Sequence, residues 1–134
     1  MIAPKPMQVP VRSENDIVRV RQTVREVAAA LRFSIVDQTK VVTAASELAR
    51  NTLVYGGGGA VEVEVVENGL RRGLRAVFSD GGPGIPDVDE ALRDGFTTGK
   101  GMGLGLGGAR RLVNEFHIDS APGRGTCVTI VKWK

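Results

Sequence analysis

Hydrophobic residues along this chain recur with two different periods, and the places where the period changes mark its elements. Gln8 to Val11 reads as a short strand. Ile17, Val20, Val24, Val27, Ala28 and Leu31 then return every third or fourth position, which predicts a helix with one apolar face running to about Leu31. Ser13, with Asp16 three residues on, supplies the capping-box start. Ser34 and Asp37 repeat that signal, and Val41, Ala44, Ala45, Leu48, Ala49 and Thr52 carry a second helix towards Tyr55. Gly56 to Gly59 end it, because consecutive glycines lose too much backbone entropy to stay helical.

Between Val61 and Val65 the period becomes two, with valines alternating with Glu62 and Glu64. Asn68-Gly69 predicts a turn, and Leu74 to Phe78 the returning strand of a hairpin with one buried face. From Asp80 to Gly108 the pattern gives way to glycines, two prolines and the pair Thr97-Thr98, which reads as a mobile, ligand-wrapping loop. Ala109 to Glu115 resumes helical spacing, in a helix that begins close to Leu104. Phe116 to Ser120 and Thr126 to Trp133 read as closing strands around a Pro122-Gly123 turn. The order predicts an α+β fold with helices packed on one face of a mixed, mostly antiparallel sheet.

Composition narrows this picture. A chain of 134 residues is read as one domain, 1–134, too short to hold a sensor or dimerisation module beside it. No apolar run approaches the ~20 residues of a membrane span, and Met1 to Val11 holds three prolines and no signal-peptide core. A cytoplasmic protein with no membrane partner is expected. The net charge of +3 suits an anionic ligand, yet basic and acidic residues are intermingled, and the densest basic group, Arg71, Arg72 and Arg75, fits a solvated strand end. One Trp and one Tyr supply too little stacking surface for nucleic acid. Cys127 has no second cysteine to pair with and reads as a small buried strand residue; His117, the single histidine, reads as a surface strand residue.

Three segments carry candidate chemistry. Glu47 and Asn51, four apart on the second helix, project from one face. An amide oxygen there can ligate a hard divalent cation, and the carboxylate one turn away can accept a hydroxyl proton. Alone, the pair also fits an ordinary solvated helix face. Asp80-Gly81-Gly82-Pro83-Gly84-Ile85 follows a strand and places a carboxylate at its end. A carboxylate accepts hydrogen bonds and so suits an exocyclic amine such as that of adenine, while Gly82 and Gly84 let backbone approach a flat ring. A solvated Asp-Gly turn is the alternative for this segment alone. Gly101-Met102-Gly103-Leu104-Gly105-Leu106-Gly107-Gly108 leads into a helix whose N-terminal amides can hold phosphate oxygens, with Lys100 adding a point charge and the spaced leucines anchoring the segment in a core. Gly103, Gly105 and Gly108 satisfy a dinucleotide G-x-G-x-x-G pattern, but no strand precedes them. No G-x-x-x-x-G-K-[ST] loop and no HRD or DFG element occurs.

E-x-x-x-N on a helix, D-x-G-P-G-I after a strand, G-x-G-L-G-L before a helix and a terminal Gly-Thr strand stand here in the order of the GHKL superfamily, which the chain resembles over essentially its whole length. The resemblance narrows to the small bacterial anti-sigma-factor kinases, above all the RsbT-like switch kinases. Glu47-Leu48-Ala49-Arg50-Asn51, Asp94-Gly95-Phe96-Thr97-Thr98, Arg110-Arg111-Leu112, Glu115-Phe116 and the Lys132-Trp133 ending carry it. It implies the Bergerat ATP-binding sandwich, with Asn51 holding Mg²⁺, Glu47 acting as general base and Asp80 binding the adenine amine. Gly84 would back the base, Gly101, Gly103 and Gly105 would contact phosphates, Thr126 would assist near the adenine, and Thr97 and Thr98 would belong to the lid. The chain departs from the superfamily in having Thr52 and Tyr55 where many members carry Ala and His.

The activity so implied is transfer of the ATP γ-phosphoryl group to a serine or threonine of a STAS-domain antagonist, with a STAS-containing stressosome scaffold and a PP2C-type phosphatase as further partners. A histidine-kinase half would need a helical hairpin bearing the acceptor histidine. An ATP-dependent module that sequesters a sigma factor, or activates a phosphatase by contact, is the non-enzymatic alternative.

Overall fold

The computed structural model describes residues 6–93 and 105–134. Strand β1 (Met7–Val11) leads into helices α1 (Glu14–Ala30) and α2 (Ile35–Val54), then the hairpin of β2 (Gly59–Asn68) and β3 (Arg71–Asp80). Helices α3 (Val88–Ala91) and α4 (Leu106–Arg111) precede the closing hairpin of β4 (Glu115–Ser120) and β5 (Thr126–Trp133). The five strands lie in the order β1-β2-β3-β5-β4, and every pairing is antiparallel.

The two long helices start where their caps predict. The Asp16 carboxylate accepts from the backbone N–H groups of Arg12 (2.8 Å) and Ser13 (3.2 Å), and Ser34 Oγ accepts from Asp37 N–H at 3.1 Å. These bonds satisfy donors that a helix start otherwise leaves without partners. Both helices lay their apolar faces on the same side of the sheet. Val20, Val24, Val41, Ala45 and Leu48 meet Val61 and Val63 of β2, Leu74, Ala76 and Phe78 of β3, and Val128 and Ile130 of β5 in one buried core. Each large side chain buried there contributes roughly 1.5–3 kcal/mol. The alternate strand residues, among them Glu62, Glu64, Arg75, Ser79 and His117, face away from the helices.

Four details depart from the expectations. The β2–β3 turn falls on Gly69 and Leu70, because Asn68 still pairs with Arg71. The helix expected over Ala109 to Glu115 stops at Arg111, and Glu115 opens β4. Helix α4 is poor in propensity, with Gly107 and Gly108 inside it. Strand β5 captures the residues beyond it: Asn114 N–H donates to Val131 O at 3.0 Å, Trp133 N–H to Asn114 Oδ1 at 2.8 Å, and Trp133 Nε1 to Glu115 Oε2 at 2.6 Å. Helix α3 is a turn not read from the sequence, capped by Asp87, whose Oδ1 accepts from Glu90 N–H at 3.0 Å. Cys127 is half-buried on the sheet face away from the helices, because alternation along β5 turns odd-numbered residues outward.

Candidate functional site

One transverse row of the sheet organises the site. In register, Val11 faces Gly59, Gly59 faces Asp80, Asp80 faces Thr126, and Thr126 faces Ser120. Strand neighbours stand about 4.8 Å apart, so these residues share one edge of the helix-facing surface. The next row inward contains Phe78 and Val128, which form an apolar floor. Above it, α2 contributes Leu48, Asn51, Thr52 and Tyr55, and α4 contributes Leu106. With Asp80, Ile85 and Thr126 these residues line a single cleft.

Asp80 is the polar centre of that cleft. Burial pushes its carboxyl above the usual carboxylate range, against the opposing pull of the backbone N–H groups of Gly82 and Thr126, which donate to it. The Gly82 bond measures 2.9 Å. The backbone after α2 passes directly over the carboxylate at Gly56, where any Cβ would overlap Asp80, and Gly82 crosses in turn over Gly56, where a Cβ would lie 2.7 Å from the Gly56 Cα. The glycine run after α2 therefore ends the helix and also forms the wall beside the acid.

The loop after Asp80 is fixed from two sides. Gly84 sits at φ +77, a conformation that favours glycine, and a Cβ there would overlap the Ala121 carbonyl. Tyr55 Oη donates to Gly84 O at 3.2 Å, and Gly123 N–H donates to Pro83 O at 2.8 Å. Tyr55, noted in the sequence only as a departure from the superfamily, thus holds the loop in place across 29 residues of chain. Thr52, the other departure, is buried and turns its hydroxyl back to Leu48 O at 3.0 Å.

Of the residues singled out from the sequence, Asn51, Asp80 and Thr126 line the cleft, and Gly82 and Gly84 shape its rim. Glu47, one turn before Asn51, lies against Gly105, the N-cap of α4. A Cβ on Gly105, whose φ is +65, would come within 2.6 Å of Glu47 Oε2. Thr97, Thr98, Lys100, Gly101, Gly103 and Leu104, and with them the expected lid, lie outside the described residues. Sequence reasoning missed Gly56, Tyr55 and Ser120. Pairing the two closing strands about their Pro-Gly turn would have set Ser120 opposite Thr126.

The donor chemistry fits a nucleotide better than a protein-held metal cluster. A half-buried carboxylate that lines the cleft and receives only backbone N–H groups from the described residues can still take an amine from the cleft side. Among the described residues no group of three His, Cys, Asp or Glu side chains could hold a metal ion.

Residues 36–134 match the family model of the histidine kinase-, DNA gyrase B- and HSP90-like ATPases. The chain belongs to this family. Within it, the chain is 45% identical to the serine/threonine-protein kinase RsbT of Bacillus subtilis (strain 168), over 93% of this chain and 94% of that protein. It is 30% identical to the anti-sigma F factor of Geobacillus kaustophilus (strain HTA426), over 94% of this chain and 89% of the relative. The fold recurs, at 19% identity and a TM-score of 0.59, in the crystal structure of the RsbU and RsbW domains of a Mycobacterium tuberculosis protein, where the match covers 96% of this chain and 32% of that one. Family membership and the kinase relative make the chain an ATP-using enzyme of the serine/threonine kinase type.

Proposed function

We propose that this chain transfers the ATP γ-phosphoryl group to a serine or threonine hydroxyl of a STAS-domain antagonist, as the kinase of a bacterial stress-signalling partner switch. The observation that carries the reading is the row Gly59-Asp80-Thr126, which centres on a half-buried carboxylate beneath two glycine crossings and beside Asn51. In this reading Asp80 accepts from the adenine amine and Thr126 assists it, while Gly82 and Gly84 lie along the ring. Asn51 offers one hard oxygen ligand to Mg²⁺, the rest of whose shell would come from phosphate and water, as is usual for this ion. Mg²⁺ would supply neutralisation of phosphate charge. Glu47 is assigned the acceptor hydroxyl's proton, a role that needs only that its carboxylate reach the hydroxyl of a docked partner.

Phosphorylation would weaken the antagonist complex by charge repulsion and free the kinase for a PP2C-type phosphatase, with a STAS-containing stressosome scaffold as a further partner. We place the protein in the cytoplasm; among the described residues no helix is long and apolar enough to cross a membrane. The 30% identity to an anti-sigma F factor favours a second output, direct sequestration of a sigma factor.

Labelled ATP and Mg²⁺ incubated with host lysate test the reading. We expect label on a serine or threonine of a STAS protein. Asn51→Ala is expected to lose Mg²⁺-dependent ATP binding, whereas Glu47→Ala keeps binding and loses transfer by about 10²-fold or more. Equal transfer by wild type and Glu47→Ala would remove Glu47 from the mechanism. Capture of a sigma factor alone, with no labelled protein, would favour sequestration.

A further inference from the structure

The row that holds Asp80 ends in a hydroxyl that has no task in nucleotide binding or phosphoryl transfer as proposed. Ser120 closes β4 opposite Thr126, and its Oγ has three polar neighbours among the described residues. The N–H of Ile85 donates to it over 2.8 Å, the carbonyl of Gly125 accepts from it at 3.1 Å, and Thr126 Oγ1 lies 2.8 Å away. A serine hydroxyl owns one hydrogen and two lone pairs. With the hydrogen on Gly125 and one lone pair taken by Ile85, the remaining contact is made only if Thr126 is the donor. That arrangement satisfies all four groups, as a part-buried polar cluster requires.

The consequence falls on the cleft. Thr126 lines it beside Asp80, its partner in register. With its hydrogen committed to Ser120, Thr126 presents only lone pairs to whatever binds there, and an ionised carboxylate also only accepts. Two adjacent acceptors favour a group that carries hydrogens. The 6-amino group of adenine has two, whereas a 6-oxo group brings lone pairs of its own.

We propose that Ser120 is a positioning residue for base selection: by holding Thr126 as a hydrogen-bond acceptor, it makes the cleft admit a 6-amino purine and reject a 6-oxo purine. The inference rests on the reading that the purine edge meets Asp80. The experiment is calorimetric titration of the full chain with ATP and with inosine triphosphate, each with Mg²⁺, in wild type, Ser120→Ala, Ser120→Thr and Thr126→Val. Wild type should prefer ATP. Ser120→Ala frees the Thr126 hydrogen to turn towards an oxo group, so the ratio of the two affinities should fall by about tenfold, the worth of one hydrogen bond gained in place of a repulsion. Ser120→Thr, which keeps the hydroxyl, should restore it.

A merely structural role would weaken both nucleotides together, because Ile85 loses its acceptor, and would leave the ratio unchanged. That result overturns the inference. Thr126→Val tests it with Ser120 itself unchanged, since removing the threonine lone pairs should also lower the ratio; an unchanged ratio there overturns it equally. Wild-type protein that binds neither nucleotide would instead overturn the reading of the cleft as the purine site, and this inference with it.

Discussion

Strands β3 and β5 lie side by side over eight residue pairs, and their two ends handle a carboxylate in opposite ways. At one end Lys132, buried on β5 opposite Leu74, reaches Asp37 in the first turn of α2, with Nζ 3.5 Å from Oδ1. At the other end Asp80, opposite Thr126, is desolvated and receives from the described residues only backbone N–H groups. The first end uses its charges to fasten helix to sheet. The second leaves a carboxylate short of partners, which costs the ligand-free fold and, in the proposed reading, supplies the ligand with an acceptor. On that reading, stability and binding are separated along the same pair of strands.

The sharpest way to break this contrast is Asp80→Asn. Its amide keeps the shape but loses the charge, and we expect nucleotide affinity measured by calorimetry to fall about 100-fold, since a charge-assisted bond is replaced by a group that can present its own donor. The ligand-free protein should melt no lower than wild type. A carboxyl raised above its unfolded value binds its proton more tightly when folded, so its contribution to stability is present at low pH and is lost as pH rises through the folded value. Asp80→Asn should remove that loss. In wild type, nucleotide binding should weaken as pH falls through the same raised value, because a protonated acid no longer accepts as an anion. A marked drop in the melting temperature of Asp80→Asn would show that Asp80 instead supports the fold.

Lys132→Ala probes the opposite end. Removing one partner leaves Asp37 without its cation and opens space beside Leu74. Asp37 is 36% exposed, so solvent offsets much of the penalty and a loss of about 1–2 kcal/mol is expected, below that of a fully buried pair. Denaturant unfolding should register it while ATP affinity stays at the wild-type value. A change in affinity would mean that the two ends are coupled.

Much of this architecture could be read in advance because its signals are local. Ser13 with Asp16, and Ser34 with Asp37, set both long helices within a residue of their observed starts, and the alternation of Val61 to Val65 gave the buried face of β2. Asn51, Asp80 and Thr126 were legible as candidates because they stand in a recognisable order, and all three line the cleft. What escaped depends on pairs distant in sequence. Glu115 has helical spacing with Leu112, yet its bond to Trp133 and its pairing with Val131 draw it into a strand. Gly56 reads as a helix stop, and only the register of β2 with β3 brings it over Asp80. Ser120 gives no pattern at all until β4 is set beside β5.

The smallest expected effect separates the loop from the acid it serves. Tyr55→Phe removes one hydrogen bond to Gly84 and little packing, so a loss near 1 kcal/mol, or about fivefold in ATP affinity, is expected by calorimetry. Unchanged affinity would mean that the bond from Gly123 to Pro83 suffices to hold the loop.

The transverse row also bears on how the protein comes to be active. Its members are residues 11, 59, 80, 126 and 120, delivered by five different strands, so no one strand supplies more than a single member of the row. Such non-local pairings form late relative to helices, because loops must close before any contact rewards them. A chain still emerging during synthesis has its capped helices and its first hairpin before β5 exists to complete the row. In the proposed reading, a nucleotide that binds only the completed row would favour molecules whose last hairpin is in place.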